Sequence, residues 1–370
     1  MTKVVYLDYN ATAPILPAVK QAMIDTLDLV GNASAVHQLG RRCRADIDKA
    51  RKQLAAALGV SSKDITFTSG GTESNHLVMS GLNIQKENIY ASSVEHASIH
   101  KNGVSDNLIP VDAQGQIRLD VLAEYFERSN APKLVSVALA NSETGIVQRN
   151  LKDVVALCHQ HNCLVHTDAV QAFGKISVSF ADLGVDLMTI SAHKIGGPKG
   201  VGTLISKANI ILKAPLLGGG QEKGLRSGTE NIPAIVGFGI ASEIAAETCW
   251  ASTRQLLDGT IDQLKRANPD IRINSVPDGL PNTLNVSTPS FNKDTQVIHM
   301  DLNGVAISAG SACSSGKVEQ SHVLKAMGLD DVYVNSAIRL SLSPSQTKDD
   351  IDQFIHVWKS MQMTKKVEGL

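Results

Sequence analysis

The chain has 370 residues, 43% of them hydrophobic, and a formal net charge of −1 from 35 basic and 36 acidic side chains. That length accommodates two or three domains of roughly 100–200 residues each, and the charge balance excludes a general electrostatic basis for stable nucleic-acid or anionic-membrane binding. No apolar run approaches the roughly 20 residues that span a bilayer, and the start, Met1 to Leu7, lacks the flanks of a signal peptide, so a cytoplasmic location is expected.

In chain order, periodicity predicts a helix over 45–58, a buried strand at 65–68, a helix over 73–82 and a strand at 134–139. A helix over 151–160, strands at 164–167 and 187–190, and a helix over 232–248 follow. Such alternation argues for an α/β domain with a mainly parallel sheet. After Trp250 the texture changes to a long amphipathic helix at 253–266, a short strand at 283–286 among Pro277, Pro281 and Pro289, and a last helix over 349–361. A smaller α+β domain is expected here, with the large domain at 15–250 and the small one at 1–14 and 251–370.

Three places along the chain carry chemistry. The run Ser69-Gly70-Gly71-Thr72-Glu73-Ser74-Asn75 joins a strand to a helix, where backbone N–H groups and the helix dipole favour an anion; a plain turn with Thr72 as N-cap explains it as well. Asp168 ends an apolar strand, where open α/β sheets bind ligands, although it could simply cap the next helix. Lys194 lies just past another buried strand and is hemmed in by Gly196 and Gly197. Desolvation there would lower its pKa, as Schiff-base chemistry requires of an amine; an exposed loop lysine is the alternative.

The five cysteines, Cys43, Cys158, Cys163, Cys249 and Cys313, read as free thiols rather than a disulfide framework. Cys313 is flanked by small residues from Ala309 to Gly316, which suits an accessible nucleophile, though a buried thiol filling a gap is the commoner case. Cys158, His159, His161, Cys163 and His166 imitate metal-ligand spacing, but a helix over 151–160 followed by a strand should make these side chains diverge, so no metal site is expected.

The run Ser191-Ala192-His193-Lys194-Ile195-Gly196-Gly197-Pro198-Lys199-Gly200 resembles the cofactor-lysine signature of class V aminotransferase-fold enzymes, and within them the cysteine desulfurases of the NifS/IscS type. Similarity extends from Tyr6-Leu7-Asp8-Tyr9-Asn10-Ala11-Thr12 to Ala337-Ile338-Arg339-Leu340-Ser341-Leu342. The resemblance implies the fold-type I architecture of pyridoxal 5′-phosphate (PLP) enzymes, a large domain with a mainly parallel seven-stranded sheet plus a smaller α+β domain. It implies a homodimer that converts L-cysteine to L-alanine and leaves the sulfur on Cys313 as a persulfide for a sulfur-acceptor protein, in iron–sulfur cluster assembly or another sulfur pathway. Another class V chemistry, such as transamination or selenocysteine lysis, is the alternative, as is a non-catalytic sulfur-handling scaffold.

By the same resemblance, Lys194 carries the cofactor and Asp168 pairs with its pyridine nitrogen. Gln171 contacts the ring hydroxyl, and His96 stacks on the ring and helps to move protons. Gly71, Thr72, Ser191 and His193 lie on the phosphate side, with Thr229 reaching the phosphate of the neighbouring subunit. Asn32 and Arg339 bind substrate, the latter through its planar fork. The family often has two asparagines where this chain has Asn141-Ser142, so Asn141 or Ser142 makes the ring contact. Beyond a transient cluster on Cys313, no metal is implied.

Overall fold

The computed structural model describes residues 4–102, 104, 107–128, 131, 133–310 and 320–368, with side chains to residue 362. Its centre is a seven-stranded sheet in the order Ile65–Thr68, Gly202–Ser206, Leu187–Ser191, Cys163–Asp168, Lys133–Ser136, Ile89–Ser92, Leu108–Ile109. Only Gly202–Ser206 runs antiparallel to its neighbours; the remaining pairings are parallel. The expected mainly parallel seven-stranded α/β sheet is thus present.

Strand side chains alternate between faces, and here both faces are buried. Val135, Val165, Met188, Ile190 and Ile205 join one apolar cluster with Leu54 and Phe238. Leu134, Leu187 and Leu204 enter another with Leu77 and Ile99. This covering on both sides explains why the strands read as continuous apolar runs rather than alternating ones.

A separate apolar core forms from Val5 and Leu7 together with Leu257, Leu284, Met300, Ile338, Phe354 and Trp358. It covers the antiparallel sheet Ala337–Ser341, Thr283–Ser287, Arg272–Ile273. The N-terminal strand Val5–Tyr6 pairs with Val305–Ala306, which holds the start of the chain against this C-terminal unit.

Several boundaries differ from expectation for identifiable reasons. The helix predicted from residue 45 begins at Gln38, where His37 Nδ1 accepts from Gly40 N–H at 3.3 Å, and stops at Gly59 in the left-handed region. The helix predicted from 73 begins at Gly71 with Gly70 as N-cap, φ +151°. Thr72 therefore lies inside the first turn, and the capping alternative for it is overturned. The strand Gly202–Ser206 was hidden by its leading glycine, whose missing side chain is required: a Cβ on Gly202 would stand 2.7 Å from the Gly70 backbone.

Candidate active site

The cysteine- and histidine-containing stretch at 158–166 goes to structure. His166 lies between Ser136 Oγ (2.8 Å) and Thr189 Oγ1 (3.0 Å), His159 pairs with Asp186 at 2.9 Å, and His161 stacks on Phe126. The expected divergence fails for the two thiols. Cys158 and Cys163 are both buried, and the neighbouring Cys163 thiol, with burial, pushes the Cys158 thiol far up.

The carboxyl ends of the parallel strands open into a cavity of about 850 Å³. It is lined by Gly71, Thr72, His96, Asn141, Asp168, Gln171, Ser191, His193, Lys194 and Arg339, side chains that the sequence separates by up to 268 positions (339 − 71). Asn32 and Thr229 do not line this cavity and are exposed in the chain.

At one end stands the helix Gly71–Gly81, whose Gly70 N-cap contributes no side-chain cap. The positive end of an uncapped eleven-residue helix therefore faces the site. Asp168, the last residue of its strand and 8% exposed, accepts Val170 N–H at Oδ1 (2.9 Å) and Asn75 Nδ2 at Oδ2 (2.8 Å). Among the described residues no ion pair reaches it. Asn75 also donates to Ser98 Oγ at 2.9 Å, and that oxygen lies 2.8 Å from His96 Nδ1. A hydrogen-bonded line thus joins Asp168 to His96. The sequence reading missed Asn75, although the residue ends the glycine-rich run quoted above.

His96 itself caps the short helix Ala97–His100, its Nδ1 accepting Ser98 N–H at 3.1 Å. With Nδ1 an acceptor, the neutral ring carries its proton on Nε2. Its surface is open to the cavity while protein surrounds the cavity itself. Desolvation lowers its pKa, with Asp168 opposing and Lys194 reinforcing. His193 is held down to about 4 by burial, then by Lys194 and Lys199, and its Nδ1 lies 2.7 Å from Thr12 Oγ1.

Lys194 ends the 3₁₀ turn Ala192–Lys194 that follows the strand Leu187–Ser191. Its Nζ donates to Asn10 O at 2.6 Å and Ala11 O at 2.9 Å. Burial, then the Arg339 guanidinium, bring its ammonium down to about 8, against the opposing pull of Asp168 and Asp8. The exposed-lysine alternative therefore fails. Arg339, buried in the middle of the strand Ala337–Ser341, donates to Asp8 Oδ1 (2.5 Å) and Ser142 O (2.9 Å), while its Nε has no partner among the described residues.

Asn141 lines the cavity, but its amide is engaged by the backbone. Nδ2 donates to Val94 O, and Oδ1 accepts from the N–H groups of Glu143 and Thr144, each at 2.9 Å. Ser142 contributes its carbonyl to Arg339. Cys313 lies outside the described residues, between Gly310 and Gln320, both of which line the cavity.

The Aminotransferase class-V family matches residues 5–354. Cysteine desulfurase IscS of Dictyoglomus turgidum is 36% identical over 373 residues, covering 96% of this chain and 94% of its own length. The chain belongs to the class V aminotransferases, in their cysteine desulfurase branch. The X-ray structure of a NifS-like protein from Rickettsia africae superimposes with a TM-score of 0.89 at 37% identity, over 97% of this chain and 99% of that one. SspA, solved in complex with cysteine, is 30% identical with a TM-score of 0.80, over 92% of this chain and 99% of that one.

Members of this branch are PLP-dependent, and the cavity of this class V chain fits such a group. A buried carboxylate with no ion pair among the described residues suits a protonated pyridine nitrogen, and an uncapped helix end suits a phosphate. An amine shifted down to about 8 suits covalent attachment through nitrogen.

Proposed function

We propose that the chain is a cysteine desulfurase that moves the sulfur of free L-cysteine onto Cys313 and releases L-alanine. The observation that carries this reading is convergence: Lys194, Asp168 and Arg339 line one cavity, and Gly310 and Gln320 line it too. In the sequence Cys313 follows Gly310 by three residues.

In this reading Lys194 holds PLP covalently, Asp168 faces the pyridine nitrogen, Gln171 the ring hydroxyl, and Gly71, Thr72, Ser191 and His193 the phosphate end. When bound, PLP draws electrons from the substrate α-carbon and makes its proton acidic. Arg339, which lines the cavity, takes the substrate carboxylate through its planar guanidinium. Lys194 Nζ, low enough in pKa to exchange a proton near neutrality, receives the α-proton and returns it. His96 Nε2 is the second proton carrier, in contact with the substrate side of the cavity. The Cys313 thiolate attacks the substrate sulfur, so an S–S bond forms as the substrate C–S bond breaks. Cysteine plus thiol becomes alanine plus persulfide, with no outside oxidant or reductant needed.

The persulfide then passes to a sulfur-acceptor protein, whose cluster-assembly or other pathway the acceptor itself defines. We further propose a homodimer. Thr229 and Asn32 are absent from their own cavity, and the chain also exposes the apolar side chains of Val30, Val36, Leu216 and Leu217. Such surface favours burial against a second copy. A cytoplasmic location accords with four unbridged cysteines among the described residues.

The test is alanine and sulfide formation from L-cysteine with a thiol reductant. Wild-type protein is expected to form both in equal amounts, and Cys313→Ala to retain the bound-cofactor absorbance while losing turnover. Alanine formation by Cys313→Ala at the wild-type rate would instead favour a different class V chemistry.

A further inference from the structure

Beneath the cavity lies a lysine that the mechanism does not use. Lys175 is 4% exposed. It has no ion pair among the described residues, an unusual state for a buried ammonium. Its Nζ donates to two amide oxygens, Asn10 Oδ1 at 2.7 Å and Gln171 Oε1 at 2.8 Å. Two donors match two acceptors, which is the full donor complement of a neutral amine. Burial, then the nearby charges of Lys194 and Arg339, depress its proton affinity well below the ordinary lysine value.

The orientation of Gln171 follows from these contacts. One edge of its amide faces Asn10 O at 3.1 Å, and a backbone carbonyl can only accept, so that edge is Nε2. The other edge, Oε1, is then held by the Lys175 amine. Asn10 is fixed at the same time: its Oδ1 accepts from Lys175 and Asn282, its Nδ2 donates to Thr283 Oγ1 at 2.8 Å, and its carbonyl also receives Lys194 Nζ. One buried amine therefore braces both the amide that lines the cavity and the residue on which the cofactor lysine rests.

We propose that Lys175 is a positioning residue that locks the Gln171 amide with its nitrogen, not its oxygen, available to the cavity, making Gln171 a hydrogen-bond donor to the cofactor's ring oxygen. This rests on the PLP reading above. A donor at that oxygen withdraws the negative charge that otherwise retains a proton on the nitrogen joining Lys194 to the cofactor. Loss of the lock raises that nitrogen's proton affinity.

The readout is the pH midpoint of the visible absorbance of purified holoenzyme, in wild type, Lys175→Met, Gln171→Leu and the double variant. The expected result is an upward shift of about one pH unit in Lys175→Met, the tenfold change that follows from losing one hydrogen bond to a charged oxygen. Gln171→Leu should shift similarly, and the double variant should move no further, because no amide remains to orient. An unshifted Lys175→Met overturns the proposal. So does an equal added shift in the Gln171→Leu background, which would mean that Lys175 acts on Lys194 by charge alone. If Lys175→Met does not fold, Lys175→Gln decides, since it removes the amine yet offers an N–H to Gln171 Oε1: a wild-type midpoint supports the lock, and a displaced one in both backgrounds overturns it. A wild-type protein with no visible band would remove the cofactor reading itself, a different failure.

Discussion

Replacing Asp168 by asparagine (D168N) separates a cofactor role from a structural one, because shape is kept and charge is lost. The bond from Val170 N–H to Oδ1 survives. At Oδ2 a new amide would meet Asn75 Nδ2, now 2.8 Å away, donor against donor. Asn75 can turn over, since its Oδ1 has no partner among the described residues, but turning gives up its 2.9 Å bond to Ser98 Oγ. That loss is about 1 kcal/mol, and removing a buried carboxylate that lacks a cation offsets it by a similar amount. The cofactor-free protein should therefore shift in Tm by only about 2–4 °C in either direction. With cofactor, the variant loses a charge-assisted bond of about 1.5–3 kcal/mol, a fall of roughly 10- to 100-fold in turnover. Differential scanning fluorimetry without cofactor and alanine release at saturating cofactor measure the two quantities. Turnover within about threefold of wild type, or collapse of the cofactor-free protein, would refute the reasoning.

Arg339→Lys removes the planar fork and its Nε–H while keeping the charge, so the KM for L-cysteine should rise about 10- to 100-fold with a smaller change in kcat; an unaltered KM would contradict the assignment. Glu95 is fully buried, accepts Ala138 N–H at Oε1 and has no partner at Oε2 among the described residues, and desolvation raises its pKa well above the carboxylate range. A raised acid contributes stability below its unfolded pKa and loses it as pH climbs toward the folded one. Glu95→Gln should therefore gain in Tm over wild type as pH increases from about 4.5, and a constant difference across that range would contradict this. If sites are shared between two copies, mixing Lys194→Ala with Thr229→Val protein should restore wild-type cofactor affinity to one of the two sites in each mixed dimer, whereas strictly additive behaviour would argue for self-contained sites.

Asp168 and Lys194 were legible in the sequence because one ends an apolar strand and the other closes the short turn just past another, and strand ends are where a doubly covered sheet must place polar chemistry. The supporting layer was not. Asn10 and Lys175 meet across 165 positions and Asn10 and Thr283 across 273, so only the packed fold reveals the brace. Asn141 was legible as a site residue but not in its detail, since whether its amide faces a ligand or the 143–144 backbone depends on a tight turn that residue types alone leave open. The antiparallel strand Gly202–Ser206 escaped because a glycine that exists for close backbone approach looks the same in sequence as one that ends a turn. Asn32 and Thr229 stand exposed in the single chain, away from the cavity; the expectation for Thr229 concerns a second copy, and that for Asn32 is a substrate contact this cavity does not include.

The central claim is covalent attachment of the cofactor at one particular amine. Borohydride reduction of the coloured holoenzyme, followed by digestion and peptide mass analysis, tests it directly. The account predicts a single pyridoxyl-tagged peptide bearing the modification on Lys194. A tag on the neighbouring buried Lys175, or no tagged peptide from coloured protein, would contradict it.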